Sequence, residues 1–401
     1  MELPAFLEAS TPISIVGVLI VILALLFAAR QTAPGRWFFS RIPLLVFAYF
    51  VPTLFSNLGF LPTESSVYGF IKDALLPASL VLLTLSVDVK AVLRLGRPAL
   101  ILFLVGTFSI VIGGPIAFLC LKWMIPAELM DEAWRGLAAL SGSWIGGGAN
   151  FVAIAESVGL DPKGGMFGAM IVIDIAVSSV WLAVLLFFAG REKAMDEKSG
   201  ANRDTIDDAR DRVAAFRADV EKPTSLTALL IIVAVGLGTT AVATFIAGYL
   251  PPIGDIISRF TWIVIIATTV GVALSFTRLR ALEGQGASDV GSLFLYLLIA
   301  SIGAQADFAR AFEAPQLLLV GALWMLIHAG LILLAWRLLR VPIFFAAVGS
   351  QANVGGAASA PIVASAFHPA LAPIGVLLAV AGYVLGTYAA LLCAYLLKLV
   401  A

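Results

Sequence analysis

The sequence predicts an all-α polytopic membrane protein built from two inverted repeats of five transmembrane helices, each repeat with a glycine-rich re-entrant hairpin or broken helix. Three observations predict it. Of the 401 residues, 61% are hydrophobic and 12% charged, with a mean hydropathy of +1.03, whereas soluble domains carry about 25% charged residues. Polar surface that sparse cannot screen so large an apolar content from water, so the solvent is lipid. Apolar runs close to the length of a bilayer span recur along the chain. Two further apolar segments, one in each half, are interrupted by glycines.

The elements follow in order. The opening "MELPAFLEAS" lacks a basic n-region, so the first apolar run, 12–29, reads as a retained span. Runs at 42–60, 70–87, 98–123 and 164–189 complete the first set of five, and 225–250, 255–276, 290–304, 316–339 and 371–399 form the second. Each approaches the roughly 20 residues that a bilayer core requires. The interrupted segments, 133–158 and 343–367, each fall between the fourth and fifth runs of their half. The first contains "SWIGGGANF" and the second "VGSQANVGGAASA". The predicted organisation is therefore a first repeat (1–189, hairpin 133–158), a charged cytoplasmic linker (190–223) and a second repeat (224–401, hairpin 343–367).

Residue identities support the repeat. Gly142, Ser143 and Gly148 align with Gly349, Ser350 and Gly355, and a one-residue shift pairs Gly147-Gly148-Ala149 with Gly355-Gly356-Ala357. Upstream, "FLVGT" (103–107) pairs with "LLVGA" (318–322). Orientation follows from the positive-inside rule. Arg30, Arg36 and Arg41 follow the first run, and Lys90, Arg94 and Arg97 follow the third. In the second half the basic loops hold Arg278 with Arg280, and Arg337 with Arg340. All these loops lie inside only if both glycine segments enter and return on one side, which also inverts the halves. Broken helices that cross the membrane are the alternative. The linker holds 17 of the 50 charged residues, and Ile206, Ala209, Val213, Phe216 and Val220 form a helical seam within it.

Non-helical backbone survives at membrane depth only inside protein or beside a water-filled cavity. Glycines there expose amides and carbonyls that can hold an ion or a polar solute. Ser143 and Asn150 flank Gly146-Gly147-Gly148; Ser350, Gln351 and Asn353 precede Gly355-Gly356. Asp174, amid apolar neighbours in the fifth run, costs on the order of 3 kcal/mol to insert and so marks a functional position, suited to a proton or cation. Asp88 and Asp307, at run ends near arginines, read as structural, and His328 reads as an interhelical hydrogen-bonding residue ahead of the alternative, proton handling. Zero net charge without a basic stripe argues against nucleic acid as a partner. No zinc, nucleophile-elbow or phosphate-loop motif is present, and two histidines leave little for acid–base catalysis, so an enzyme is not expected and no cofactor is implied.

Through "LLPASLVLLTLSVDVK" (75–90), "GSWIGGGAN" (142–150) and "VGSQANVGGAASAPIVA" (348–364), the chain resembles the YjcL-like domain-of-unknown-function family of membrane proteins over nearly its whole length. That family is grouped with the cation:proton antiporter and anion symporter superfamily. The resemblance implies a secondary transporter of the cytoplasmic membrane, with a mobile core moving past a dimerising scaffold, and hence a homodimer. It implies that Gly146, Gly147, Gly148, Gly355 and Gly356 are hairpin tips, with Ser143, Asn150, Ser350, Gln351 and Asn353 as ligands. Coupling to sodium or protons follows, with a sodium ion expected near Asn150, Asp174 and Asn353. Typical sodium/proton antiporters carry an adjacent Asn-Asp or Asp-Asp pair, and this chain has Asp174 by itself. The solute expected is small and polar or anionic, with cation/proton antiport and a non-transporting scaffold or sensor acting through the linker as alternatives.

Overall fold

A computed structural model describes residues 11–39, 44–161, 164–201, 224–253, 257–306, 315–368 and 371–401. Among these the chain is helical, with a single isolated β-bridge, Ile253 to Ile257. The first half comprises α1 (Pro12–Gln31), α2 (Ala33–Phe39), α3 (Leu44–Asn57), α4 (Ser66–Leu85), the short α5 (Val89–Arg94), α6 (Arg97–Leu121), α7 (Met130–Ser157) and α8 (Gly165–Ala189). After α9 (Glu192–Ser199) come α10 (Leu226–Ala247), α11 (Arg259–Ser275), a 3₁₀ segment (Arg278–Gln285) and α12 (Ala287–Gly303). The chain finishes with α13 (Gln316–Leu339), α14 (Ile343–Val354), α15 (Gly356–Phe367) and α16 (Ala372–Val400). The linker seam at 206–220 and Asp307 lie outside the described residues.

Helix starts are written locally. The Ser65 hydroxyl accepts from the Val67 amide and that of Ser225 from the Ala228 amide, while Ser258 and Thr261 form a capping box. Prolines occupy the first turn of α1, α6 and α16, where a missing N–H costs nothing. Among the described residues, eight helices are long and apolar enough to cross a membrane, or up to ten if each of two bent pairs is one span.

One of those eight, α7, does not run in one direction. Arg135 donates to the carbonyl of Val158, 23 residues on; a straight helix would hold them about 34 Å apart. The reversal sits at Gly147, whose φ of 72° and ψ of −173° are non-helical. The α14–α15 pair also folds back. Gln351 Nε2 donates to Ser359 Oγ at 2.7 Å, a pair that a straight helix would separate by about 12 Å. The Phe344 and Phe367 rings meet at the base, with centroids 5.5 Å apart. This second tip holds Gly355 and the positive-φ Gly356. Both glycine segments are thus helical hairpins, and neither is a kinked rod.

The helices sort into two bodies. Helices α1, α3, α4, α10, α11 and α12 pack mainly on one another, with α4 at their centre. Helices α6, α7, α8, α13, α14, α15 and α16 form the other body, in which α16 lies along both hairpins. The chain therefore passes through the bodies alternately, twice each. We call the first the scaffold and the second the core.

Candidate functional site

Within the core, each hairpin is fastened to a neighbouring helix by one buried asparagine. The Asn353 amide nitrogen donates to the carbonyls of Gly349 (2.9 Å) and Phe103 (3.0 Å), and its oxygen accepts from Thr107 Oγ1 (2.7 Å). Asn150 repeats the arrangement: its nitrogen donates to Gly146 (3.0 Å) and Tyr383 (3.2 Å), and its oxygen accepts from Thr387 (2.7 Å). Facing carbonyls fix the amide nitrogen and the threonine hydroxyl fixes the oxygen, so amide orientation is determined by the partners. Close approach requires glycine opposite. A Cβ on Gly106 would lie 2.7 Å from Asn353 Nδ2, and one on Gly386 2.6 Å from Asn150 Nδ2. The pattern is Gly-x-x-x-Asn on a hairpin against aromatic-x-x-Gly-Thr on a helix. By this geometry "FLVGT" (103–107) is matched by "YVLGT" (383–387), whereas Gly321 of "LLVGA" packs on Ile173, Val177 and Trp144. Both asparagines, 0% exposed, spend their donors on packing.

Asp174 meets the first hairpin one turn before its tip. Its carboxylate accepts from Ser143 Oγ (2.7 Å) and Trp144 Nε1 (2.8 Å). Both donors are neutral, and among the described residues no cation pairs with the carboxylate, so its ionised form would carry an unbalanced charge within the helical body. Asn150 and Asn353 share no hydrogen-bond partner with Asp174.

Next to this group, the indole of Trp144 packs edge-on against Trp324, with centroids 5.0 Å apart. One turn along α13, His328 is fully buried and bonded at both nitrogens: Nδ1 with Ser109 Oγ and Nε2 with Ser350 Oγ, each at 2.6 Å. Trp181 Nε1, which can only donate, gives its proton to Ser350 (2.8 Å). Ser350 then donates to Nε2, leaving the ring proton on Nδ1 for Ser109, whose own hydroxyl donates to the Gly106 carbonyl (2.6 Å). His328 thereby ties α6, α8 and α14 together, as its sequence reading held, and Ser350 is committed to that chain. Gln351, 1% exposed, lies under the second tip beside Ser359 and Gly355, and its Oε1 has no partner among the described residues.

A cavity of about 660 Å³ separates the two bodies. The scaffold lines it with Leu83, Ser86 and Asp88 at the end of α4, with Arg278, Arg280 and Glu283 of the 3₁₀ segment, and with Ser288 and Ser292 of α12. The core contributes Ala357, next to the second tip, and Val376, Leu377, Val380 and Tyr383 of α16. Asp88 pairs with Arg280, and Glu283 accepts from Ser86 and from the Ser288 amide and hydroxyl, closing the first turn of α12. Volumes of this order suit a small-molecule ligand.

One further contact was not legible in sequence. Asp196 of α9, 2% exposed amid exposed charged neighbours, accepts from the backbone N–H of Ile343 at 2.8 Å. A carboxylate at a helix N-terminus satisfies an orphan donor and the positive end of the helix dipole. The start of the linker is thus seated at the base of the second hairpin. Asp196→Ala is expected to cost about 1–2 kcal/mol and to speed hydrogen exchange of the first-turn amides of α14, whereas Asp196→Asn, which keeps an acceptor, retains most of the protection. Equal exchange in wild type and both variants would dissociate α9 from the hairpin.

The comparisons with known proteins point to a membrane protein. The family profile described as "Protein of unknown function (DUF819)" matches residues 17–400. The chain is 27% identical over 353 residues to "Uncharacterized membrane protein YjcL" of Bacillus subtilis (strain 168), covering 84% of this chain and 85% of that protein. With nearly its full length matched, this membrane protein belongs to the DUF819 family.

Proposed function

We propose that this protein is a secondary active transporter of the cytoplasmic membrane that moves a small polar or anionic solute, coupled to sodium or protons, by sliding the core past the scaffold. The observation that carries the reading is the cavity, which runs between two separately packed bodies and ends at a glycine hairpin tip. Both hairpins are clamped to core helices, which favours movement of the core as one piece over flapping of a lone hairpin.

The reading includes inverted repeats. Under the positive-inside assignment, contacts between helix ends join only ends on the same side. Asp88–Arg280, Asp196–Ile343 and Thr224–Gln285 fall inside; Asn57–Ala306, Arg135–Val158 and Lys122–Val400 fall outside. The first hairpin then enters from outside and the second from inside, and the cavity opens to the cytoplasm.

Asp174 is the coupling-ion residue in this reading, because a carboxylate served only by neutral donors gains from a proton or a cation. A purified sample screened across sodium, potassium, pH and small organic acids or amino acids tests it, since a ligand of the folded state raises the melting temperature by mass action. A sodium- or pH-dependent shift is expected in wild type and is lost in Asp174→Asn; an unchanged profile in that variant removes Asp174 from coupling. A second reading, cation/proton antiport, is favoured by the same carboxylate with neutral donors alone around it and predicts ion shifts with no solute shift.

A further inference from the structure

We infer that the Lys72–Glu156 ion pair is a state-dependent latch that holds the two bodies together on the side opposite the cavity. The inference rests on the two-body reading above. Lys72 belongs to α4 of the scaffold, Glu156 to the base of the first hairpin in the core, and their charged atoms are 3.1 Å apart. The Glu156 side chain is 13% exposed and that of Lys72 35%, so the pair is better shielded than an ordinary surface bridge. The Lys72 ammonium also lies 6.0 Å from the centre of the Phe260 ring of α11. Asp73 and Asp161 add repulsive fields at Glu156, so loss of the lysine leaves a shielded carboxylate among acids.

Position gives the pair its role. Helix α4 spans the scaffold from Ser66 to Leu85. Lys72 lies toward its start, and Leu83, Ser86 and Asp88 line the cavity at its other end. The bodies are therefore parted at one end of α4 and bonded at the other. Glu156 is fixed to the core because Arg135 and Val158 close the hairpin base beside it. If the core slides along α4, this ion pair must separate, so it stabilises the cavity-open state selectively.

The test uses the full-length protein with Cys120→Ser and a reporter cysteine at the cavity wall, Ser292→Cys. Inside-out vesicles are treated with an impermeant maleimide, and labelling at position 292 is followed by mass spectrometry. Lys72→Glu is expected to slow labelling by about three- to fivefold as the population leaves the cavity-open state. The swap Lys72→Glu with Glu156→Lys restores the rate. Parent-like rates in Lys72→Glu, or a charge swap that stays as slow as Lys72→Glu, overturn the latch. If labelling is unaffected while scaffold-to-core distances still change with ligand, the latch alone falls; if those distances never change, the two-body reading falls with it.

Discussion

Gly147→Ala breaks the first hairpin. At φ 72° and ψ −173° Gly147 occupies a region that is essentially closed to residues with a Cβ. Space is not the obstacle, since the nearest atom to an added Cβ is Tyr383 Cε1 at 3.6 Å. The cost is in the backbone, of order 3 kcal/mol, and it falls on the residue where the chain reverses. Gly148→Ala is the matched control. Its φ is not positive, and its Cβ would press on a flexible methyl of Leu45 at 2.9 Å. The expected result is a clear drop in melting temperature and loss of ligand-induced stabilisation in Gly147→Ala, with little change in Gly148→Ala. Equal behaviour of the two would mean that packing, and not the turn, explains the glycines.

Asn353→Asp has the second large effect. The amide nitrogen faces two carbonyl oxygens at 2.9 and 3.0 Å. Aspartate puts a buried anion there, which faces repulsion and lacks a counter-charge, so the second hairpin parts from α6. Asn353→Leu removes the hydrogen bonds without adding charge and should cost about 2–3 kcal/mol, less than Asn353→Asp. Thermal denaturation of both variants checks the order. The alternative role of Asn353, as a cation ligand, makes the opposite prediction: aspartate would strengthen sodium-dependent stabilisation. An Asn353→Asp protein that is well folded and binds sodium more tightly would therefore replace the clamp with a ligand site.

The sequence made the architecture readable where backbone physics is local. Length and apolarity mark the spans, and the triple glycine at 146–148 and the pair at 355–356 mark the reversals, because a helical hairpin in an apolar body needs a residue that can turn. Charge placement around Arg278, Arg280, Arg337 and Arg340 indicated that both segments return to their own side. The roles of the polar residues near the tips were less readable. Whether Asn150 and Asn353 bind a ligand or a neighbouring helix depends on what stands opposite, and Thr387 and Thr107 are more than 230 residues away from them in the chain. The repeated aromatic-x-x-Gly-Thr at 103–107 and 383–387 was the available signal, and it was obscured by the looser match of 318–322. Asp174 stood out because a lone acid in an apolar run is costly. Asp196 was hidden because it is one acid among many in a charged linker, and only the fold shows that it is buried where the other described linker residues are not.

Movement of the core as a unit past the scaffold can be read from spin-label distances. On a Cys120→Ser background, Tyr249→Cys in the scaffold and Trp123→Cys in the core are both highly exposed positions, at 76% and 78%, and report the distance between bodies. Trp123→Cys with Leu338→Cys, the latter 73% exposed, reports within the core. Two inter-body populations are expected, with a ratio that changes with sodium, pH or the Lys72→Glu substitution, beside one unchanging intra-core distance. A single inter-body distance that no condition moves would rule out a sliding core.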